Sequence, residues 1–242
     1  MAREIAGKTV LITGAGGGIG QKLIPAFLAA GAGRILAADR TPGTWHDARI
    51  EPVALDITDA RQVTGAAAKY AEATDILVNN AGHNHNTRFL DTDPGNALRE
   101  MEVNYFGTLA MIRAFAPAMR ARRHGVIVNM ITVGAHVSFP NMGSYCASKA
   151  ALHLLTQTVR AELGYHGVDV VGIYPPAVDT QMSAHVPPAS KISPQEVADG
   201  VIAALRNGEE ETYIGMAADL REKLRQDPKA VERTLKARVA PA

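Results

Sequence analysis

Along most of the chain, short apolar segments alternate with longer segments in which apolar residues recur at helical spacing. Six of the short segments have the length and composition of buried strands: 9–12, 34–38, 52–55, 75–78, 125–130 and 169–173. Helical patterns cover 20–30, 60–72, 97–121 and 145–163. Nearly continuous apolar strands joined by helical crossovers are typical of a parallel sheet covered on both faces. The pattern therefore predicts an α/β fold.

No internal repeat, linker or low-complexity segment interrupts this series, so we expect one domain over residues 1–215. A short loop at about 181–193, which contains Pro187 and Pro188, is expected to form a modest lid over a substrate. Residues 216–242 are a charged, helix-prone tail of the same domain. We interpret the tail as a solvated helical appendage; a subunit contact or a cover over the site is the alternative.

Composition and charge exclude several classes of function. The 242 residues are 47% hydrophobic and 20% charged, as in soluble globular proteins with a substantial core. A net charge of +1 gives no bulk attraction to nucleic acid. The apolar runs are too short for a membrane span, and the N-terminus lacks the pattern of a signal peptide. One cysteine, Cys146, excludes an internal disulfide, so we expect a cytoplasmic protein.

A glycine-rich turn, TGAGGGIG at 13–20, connects the first predicted strand to the first predicted helix. Such a turn lets the backbone approach a pyrophosphate, which then lies at the positive end of the helix. Asp39 ends the second predicted strand, where an acid can bind the hydroxyls of the adenosine ribose. Its charge would repel a 2′-phosphate, so the pattern favours NAD over NADP. Arg40 is a reservation, because it could stack on adenine or attract that phosphate.

Tyr145 and Lys149 lie four residues apart in a predicted helix, so their side chains share one face. A phenol, with an ordinary pKa of about 10, is a poor base near neutral pH. A nearby ammonium group stabilises the phenolate and lowers that pKa. The pair is therefore a candidate for proton transfer. An amphipathic helix whose lysine reaches the solvent is the structural alternative.

Three further motifs complete a recognisable set: NNAG at 79–82, Asn104 in the long helix, and YxxxK at 145–149. With the TGxxxGIG turn, and in this order, they resemble the short-chain dehydrogenase/reductase family over about residues 8–215. The resemblance implies a doubly wound Rossmann domain with a mostly parallel sheet of about seven strands. It also implies a nicotinamide cofactor and the interconversion of alcohols and carbonyls. The segments PPAVDT, YCASKAALH and ETYIG look like the DltE-like branch.

The resemblance also implies roles for individual residues. Tyr145 matches the acid/base, Lys149 the residue that binds the nicotinamide ribose, and Asn104 the asparagine that holds a water in the proton relay. Asp56 and Ile57 match contacts to adenine, and a proline-led loop matches the binding site of the nicotinamide carboxamide. Together with the glycine-rich turn, the predicted cofactor-binding residues are Gly14, Gly17, Gly18, Ile19, Gly20, Asp39, Arg40, Asp56, Ile57, Asn80, Ala81, Gly82, Tyr145, Lys149, Pro175, Val178 and Thr180.

Two positions depart from the family pattern. Thr132 stands thirteen residues before the tyrosine, where the family usually has a serine that bonds the substrate oxygen. Threonine keeps the hydroxyl but adds a methyl group that restricts χ1, so we expect Thr132 to take the serine's role. Ser138 is the alternative. Pro176 stands where the wider family commonly has glycine; because proline lacks an N–H, this loop is expected to be stiffer.

The expected partner is a small alcohol or carbonyl compound. His83, Phe139, Met142 and Met182 are the candidate substrate contacts, although residues 83–86 could also be a plain polar loop. His83 and His85 have no third ligand in sight, so no metal is expected. The resemblance suggests a homodimer or homotetramer packed through the helices of Asn104 and Tyr145.

Two other classes of function are weighed against the oxidoreductase. A weakly active or regulatory cofactor-binding protein is the alternative, and the altered serine position is its main support. The intact Lys149 argues against a lyase or dehalogenase chemistry on the same scaffold, because dehalogenase relatives lose both the lysine and the glycine-rich loop.

Overall fold

The sheet has the predicted parallel arrangement. The computed structural model describes residues 2–88, 90 and 93–237, and within them seven strands form one sheet. The strands are β1 (Thr9–Thr13), β2 (Arg34–Asp39), β3 (Ile50–Ala54), β4 (Ile76–Asn79), β5 (Gly125–Met130), β6 (Val168–Tyr174) and β7 (Glu211–Tyr213). Their order is β3-β2-β1-β4-β5-β6-β7, and every pairing is parallel.

The strand order reverses between β1 and β4, because the chain builds one half of the sheet on each side of β1. In open α/β sheets, a ligand binds in the crevice outside the carboxyl ends of the strands at such a point. The predicted doubly wound fold is confirmed, and the topology places a crevice between the loops after β1 and β4.

Helices cover both faces of the sheet. They are α1 (Gly20–Ala29), α2 (Ala60–Tyr70), α3 (Pro94–Met101), α4 (Thr108–Arg122), α5 (Gly143–Gly164), α6 (Pro194–Asn207), α7 (Met216–Gln226) and α8 (Pro228–Ala237). The single helix predicted over 97–121 is instead α3 and α4 joined by a π-helical segment, Glu102–Gly107. α6 is absent from the predicted elements, although Ser193 and Glu196 form a capping box at its start.

Two hydrophobic cores lie on opposite faces of the sheet. Because successive side chains of a strand point to opposite faces, Val10 and Ile12 enter one core and Leu11 the other. The first core contains residues of α1 and α6, and the second contains residues of α2, α4 and α5. Both faces of the central strands are thus buried, which explains why these strands consist almost entirely of apolar residues.

The tail differs from the solvated appendage that we expect from its charge. Leu224, Val231 and Leu235 are buried together and pack against Val137, Phe139 and Leu220. The polar faces of α7 and α8 meet solvent, while this apolar stripe covers the chain just before α5. Residues 238–242 of the predicted tail lie outside the described residues. Within the described part of the chain, no helix is long and apolar enough to cross a membrane.

Candidate active site

The glycine-rich turn needs glycine for steric reasons that the structure makes explicit. Gly14 has a φ of +64°, a left-handed conformation that side chains disfavour. A Cβ at Gly14 would lie 2.9 Å from Cα of Ala81, and a Cβ at Gly20 would lie 2.2 Å from the carbonyl oxygen of Gly14. α1 begins at Gly20 without a side-chain cap. The turn therefore presents bare backbone at the positive end of a helix, which suits a pyrophosphate.

The loops after β1 and β4 are joined by hydrogen bonds across the crevice. The amide Nδ2 of Asn80 donates to the carbonyl oxygens of Thr13 and Gly14, both at 3.0 Å. The hydroxyl oxygen of Thr13 accepts from the backbone N–H groups of Asn80 (3.0 Å) and Ala81 (3.1 Å). Asn80 and Ala81 thus hold the shape of the glycine-rich turn, beside the predicted cofactor.

Asp39 contacts the same turn from β2. Its Oδ2 accepts from the backbone N–H of Gly16 at 3.0 Å, and its Oδ1 accepts from Thr41 at 3.3 Å. The carboxylate therefore lies beside the turn, where it can reach a ribose. Arg40 is exposed next to Asp39. The carboxylate that would disfavour the 2′-phosphate of NADP and the guanidinium that could attract it therefore lie side by side.

Of the two residues predicted to contact adenine after β3, Asp56 is partly exposed and Ile57 is buried. Asp56 accepts hydrogen bonds from the N–H (2.9 Å) and the hydroxyl (2.7 Å) of Thr58. Burial alone would raise the pKa of Asp56, but these hydrogen bonds hold it below its ordinary value. The side chain of Ile57 is buried in the second core, so its contact with adenine stays a prediction.

Tyr145 and Lys149 project from α5 into one pocket, as their spacing predicts. The Nζ atom of Lys149 lies 5.9 Å from the centroid of the Tyr145 ring and donates to the carbonyl oxygen of Met130 at 2.9 Å. Lys149 is only 3% exposed, and burial lowers its pKa to about 8. The pKa of Tyr145 is raised, and not lowered as expected from the nearby ammonium group, because burial, with smaller contributions from Cys146 and Glu100, disfavours the phenolate. Near neutral pH the tyrosine therefore holds its proton.

Thr132 follows β5 and lines the same pocket as Tyr145. Its hydroxyl donates to the carbonyl oxygen of Pro175 at 3.0 Å and accepts from the N–H of Gly134 at 3.3 Å. Ser138, the alternative, is exposed, does not line the pocket, and is hydrogen-bonded to Cys146. Of the two candidates, only Thr132 lines the pocket of Tyr145, and its role toward the substrate oxygen stays a prediction.

Asn104 lies in the π-helical segment and is fully buried. Its Oδ1 accepts from the N–H of His83 at 2.8 Å, and its Nδ2 donates to the carbonyl oxygen of His83 and to Oγ of Ser148, both at 2.9 Å. Gly82 lies against it, because a Cβ there would meet Oδ1 of Asn104 at 3.3 Å. Single π-helical turns often mark functional positions. Here the turn aims the amide at the loop after β4, and its role in a water relay stays a prediction.

Two polar residues beside the pair are absent from the predicted set. The hydroxyl of Ser148 donates to the carbonyl oxygen of Tyr145 at 2.7 Å and accepts from Asn104. Glu100, 2% exposed, accepts from the N–H of His85 at 2.8 Å and from the hydroxyl of Ser144. Neither residue belongs to a spaced motif, so the sequence carries no signal that separates them from surface residues.

The predicted substrate contacts divide into two groups. Phe139, Met142 and Met182 line the pocket of Tyr145. His83 does not: its Nε2 lies 3.0 Å from Nε2 of His85, and its backbone is held by Asn104. The ring of His83 lies against that of His85, and its contact with a substrate stays a prediction.

The loop after β6 closes the crevice opposite the glycine-rich turn. Pro175, Pro176, Val178 and Thr180 all line the pocket. Val178 forms an isolated parallel bridge with Ile192, which fixes the base of the loop. A Cβ at Gly18 would lie 2.6 Å from Cγ2 of Thr180, so the turn and the loop are in close contact. The stiffness expected of this loop from Pro176 stays a prediction.

These features define a Rossmann-fold protein in which Tyr145 and Lys149 line one pocket with the loops at the strand-order crevice. The chain belongs to the short-chain dehydrogenase/reductase family, and the model of the family described as short chain dehydrogenase matches residues 8–191. The comparisons leave the proposed DltE-like branch a prediction.

Named relatives agree with this assignment. The chain is 32% identical over 236 residues to dehydrogenase/reductase SDR family member 7B of Bos taurus, covering 85% of this chain and 72% of that protein. It is 32% identical over 244 residues to a fatty acyl-CoA reductase of Acinetobacter baylyi, covering 90% and 80%.

Solved structures share the fold. A short chain dehydrogenase from Burkholderia cenocepacia J2315 in complex with NADP has a TM-score of 0.90 and 42% identity, covering 96% of this chain and 99% of that one. A family member from Burkholderia phymatum in complex with NAD has a TM-score of 0.81 at 24% identity, covering 95% and 96%, and supports the fold alone.

Proposed function

We propose that this protein interconverts a secondary alcohol and a ketone, or an aldehyde, with NAD(H) as the redox cofactor. One observation carries the proposal: Tyr145, Lys149 and Thr132 line one pocket together with Ile19 and Thr180 of the two cofactor-binding loops. Tyr145 would then serve as the proton donor, and Thr132 as the polarising hydroxyl, beside the proposed nicotinamide position. This is the arrangement that proton-coupled hydride transfer requires.

The residues present fit a dinucleotide. Gly14 and Gly18 leave no room for side chains where the backbone would approach the pyrophosphate, and Asp39 lies beside them for the ribose. Lys149 would bind the nicotinamide ribose, and the loop from Pro175 to Thr180 would hold the carboxamide. When bound, the nicotinamide supplies or accepts the hydride, and the protein supplies orientation and proton transfer.

The protonation states suit the donation of a proton to a carbonyl oxygen near neutral pH. The raised pKa of Tyr145 keeps its phenol protonated, so the phenol can donate to a carbonyl oxygen. Lys149 is protonated below its pKa of about 8, and its charge stabilises the phenolate that remains after the transfer. The hydroxyl of Thr132 must turn from the carbonyl oxygen of Pro175 to the substrate oxygen to donate as well.

Asp39 supports NAD over NADP, because a carboxylate beside the ribose repels a 2′-phosphate. The NADP-bound Burkholderia cenocepacia structure and the neighbouring Arg40 support NADP as the alternative. The test is the ratio of kcat/KM for NADH to that for NADPH. If Asp39 selects, Asp39→Asn lowers this ratio by about tenfold or more, since about 1.4 kcal/mol of repulsion corresponds to that factor. An unchanged ratio would show that Asp39 does not choose the cofactor.

A regulatory cofactor-binding protein is the second candidate, and the bond from Thr132 to Pro175 is the observation that favours it. If this bond persists, the substrate oxygen lacks a second donor and turnover is weak. For a regulatory protein we expect that NADH binds but that no ketone or aldehyde of a broad panel is reduced.

The decisive experiment follows the oxidation of NADH by such a panel. Tyr145→Phe removes the proton donor and is expected to lower kcat/KM by about 10²- to 10⁴-fold. Tyr165→Phe is the matched control, because Tyr165 is 89% exposed and outside the pocket. Equal activity of the Tyr145→Phe variant and the unmodified protein would refute the proposed mechanism.

We also propose a homodimer or homotetramer that packs through α4 and α5. A shallow groove between these helices is lined by Leu109, Ala116 and Leu155, and Leu154 on α5 is 62% exposed. Light scattering after size-exclusion chromatography tests this. Leu154→Glu is expected to shift the mass toward the monomer, and a monomeric unmodified protein would contradict the proposal.

A further inference from the structure

The pocket of Tyr145 is walled by the C-terminal helices. Leu220 of α7, and Ala230, Val231 and Leu235 of α8, line it on one side, and Phe139 lies among them. We propose that the α7–α8 tail makes this pocket a site for an elongated, uncharged aliphatic ketone or alcohol. This inference rests on the proposed function and names its substrate class.

The chamber is large, and most of the surface that lines it is apolar. Its volume is about 880 Å³, a space that the nicotinamide end of the cofactor would share with the substrate. Beyond Tyr145 and Thr132, its walls include Met142 and Met182, and the tail adds aliphatic side chains opposite them. Unbranched methionine side chains adapt to chains of different shape. A short polar substrate would leave these apolar surfaces uncovered, so they favour a substrate with a long apolar part.

The charges that line the pocket do not favour an anionic molecule. Among the described residues that line the pocket, the charged ones are Lys149, Lys223, Asp219 and Asp227. Lys149 is buried at the proposed nicotinamide side, which leaves one lysine against two aspartates. Asp227 accepts from the N–H of Ala230 at 2.8 Å and lies 3.6 Å from Arg233. A substrate carried on a polyanion, such as a coenzyme A thioester, would find no surplus of positive charge there.

The wall is anchored to the catalytic side of the fold. α7 contacts the short turn Val133–Ala135, which directly follows Thr132. The guanidinium of Arg221 lies 5.7 Å from the centroid of the Tyr213 ring, and Tyr213 is stacked on the buried Tyr174. α8 is held by the cluster of Leu224, Val231 and Leu235. The length of the chamber is therefore set by packed helices.

Chain length is the variable that tests this proposal. With NADH and the series from 2-butanone to 2-decanone, kcat/KM is expected to rise by up to about fourfold per methylene until the chamber is filled, the factor that corresponds to about 0.8 kcal/mol per buried CH₂. Ala230→Trp fills the wall position and is expected to lower the ratio of kcat/KM for 2-decanone to that for 2-butanone by about tenfold or more. Ala218→Trp, at an exposed alanine of α7 outside the pocket, is the matched control and should keep the ratio.

A binding measurement separates this inference from the proposed function. The uncharged fluorophore N-phenyl-1-naphthylamine should bind, be displaced by 2-decanone, and bind more weakly to Ala230→Trp than to Ala218→Trp. If the fluorophore binds in this way but no ketone is turned over, the apolar site is supported and the proposed oxidoreductase function is refuted. Turnover that is flat along the ketone series, or equal in both tryptophan variants, would overturn the inference and leave the oxidoreductase standing. A kcat/KM for decanoyl-CoA above that for 2-decanone would also overturn it.

Discussion

Thr132 offers the sharpest test of the catalytic arrangement, through Thr132→Val and Thr132→Ser. Valine keeps the shape and removes the hydroxyl, whose bonds to Pro175 and Gly134 measure 3.0 and 3.3 Å. At about 0.5–1.5 kcal/mol for each bond, and less for the longer one, the free energy of unfolding should fall by about 1–2 kcal/mol. A change of 1 kcal/mol moves Tm by about 2–4 °C in a chain of this size, so the expected fall is about 2–8 °C.

Catalysis should respond more strongly than stability. If the hydroxyl turns to the substrate oxygen, its loss removes a transition-state donor, which is typically worth about 10²- to 10³-fold in rate. The assay is kcat/KM for a ketone with NADH at 25 °C, well below Tm, alongside thermal unfolding of the same preparations. Thr132→Ser retains the hydroxyl and relieves the crowding of the methyl group, so it should keep or raise kcat/KM.

The two readouts separate a structural hydroxyl from a catalytic one. A Thr132→Val variant with a lower Tm but with kcat/KM within about twofold of the unmodified protein would refute the catalytic role. The hydroxyl would then serve only to hold the carbonyl oxygen of Pro175.

Three further predictions follow from particular contacts. Gly18→Ala places a Cβ 2.6 Å from Cγ2 of Thr180, so the affinity for NADH, measured by titration of NADH fluorescence, should fall by about tenfold or more. Adding Thr180→Ser removes the clashing methyl group and should restore part of this affinity. If the double variant shows no restoration, the clash is not the cause. Lys149→Met removes an ammonium group that is costly to bury, as its lowered pKa shows, so the variant should have a higher Tm at pH 7 and no turnover. A clear fall in Tm would contradict this argument from desolvation. Burial, and then Arg221 and His153, lowers the pKa of His136 to about 4, so the folded state resists protonation that the unfolded state accepts. Stability should therefore fall as pH drops from about 6.5 to about 4, and His136→Gln should flatten Tm over this range; an unchanged slope would exclude His136 as its source.

The pattern of the sequence was sufficient for the fold because local physics and tertiary packing agree in the sheet. Strands buried on both faces must be apolar throughout, and Val10, Leu11 and Ile12 show this while pointing into different cores. The glycines of the turn were equally readable, since the contacts of Gly14 and Gly20 admit no side chain. The spacing of Tyr145 and Lys149 needs only helical geometry to bring them to one face.

Other features depend on contacts between distant segments, which no local pattern encodes. The backbone of His83 is held by Asn104, 21 residues away, a contact that the residues around His83 do not announce. The hydroxyl of Thr132 is engaged by Pro175, 43 residues away, and Ser148 is bonded by Asn104, 44 residues away.

By itself, the sequence determined most of the strand and helix series, the glycine-rich turn and the position of Tyr145 and Lys149 on one helical face, because each of these follows from periodicity, steric need or spacing along the chain. The position of the tail was decided only by the tertiary structure. The many charges of the tail indicate a solvated helix, and most of these side chains are indeed exposed. A narrow apolar stripe that contains Leu224 and Val231 nevertheless packs against Phe139. The physical reason is that burial depends on which surface lies opposite, and only the folded chain brings that surface to the tail.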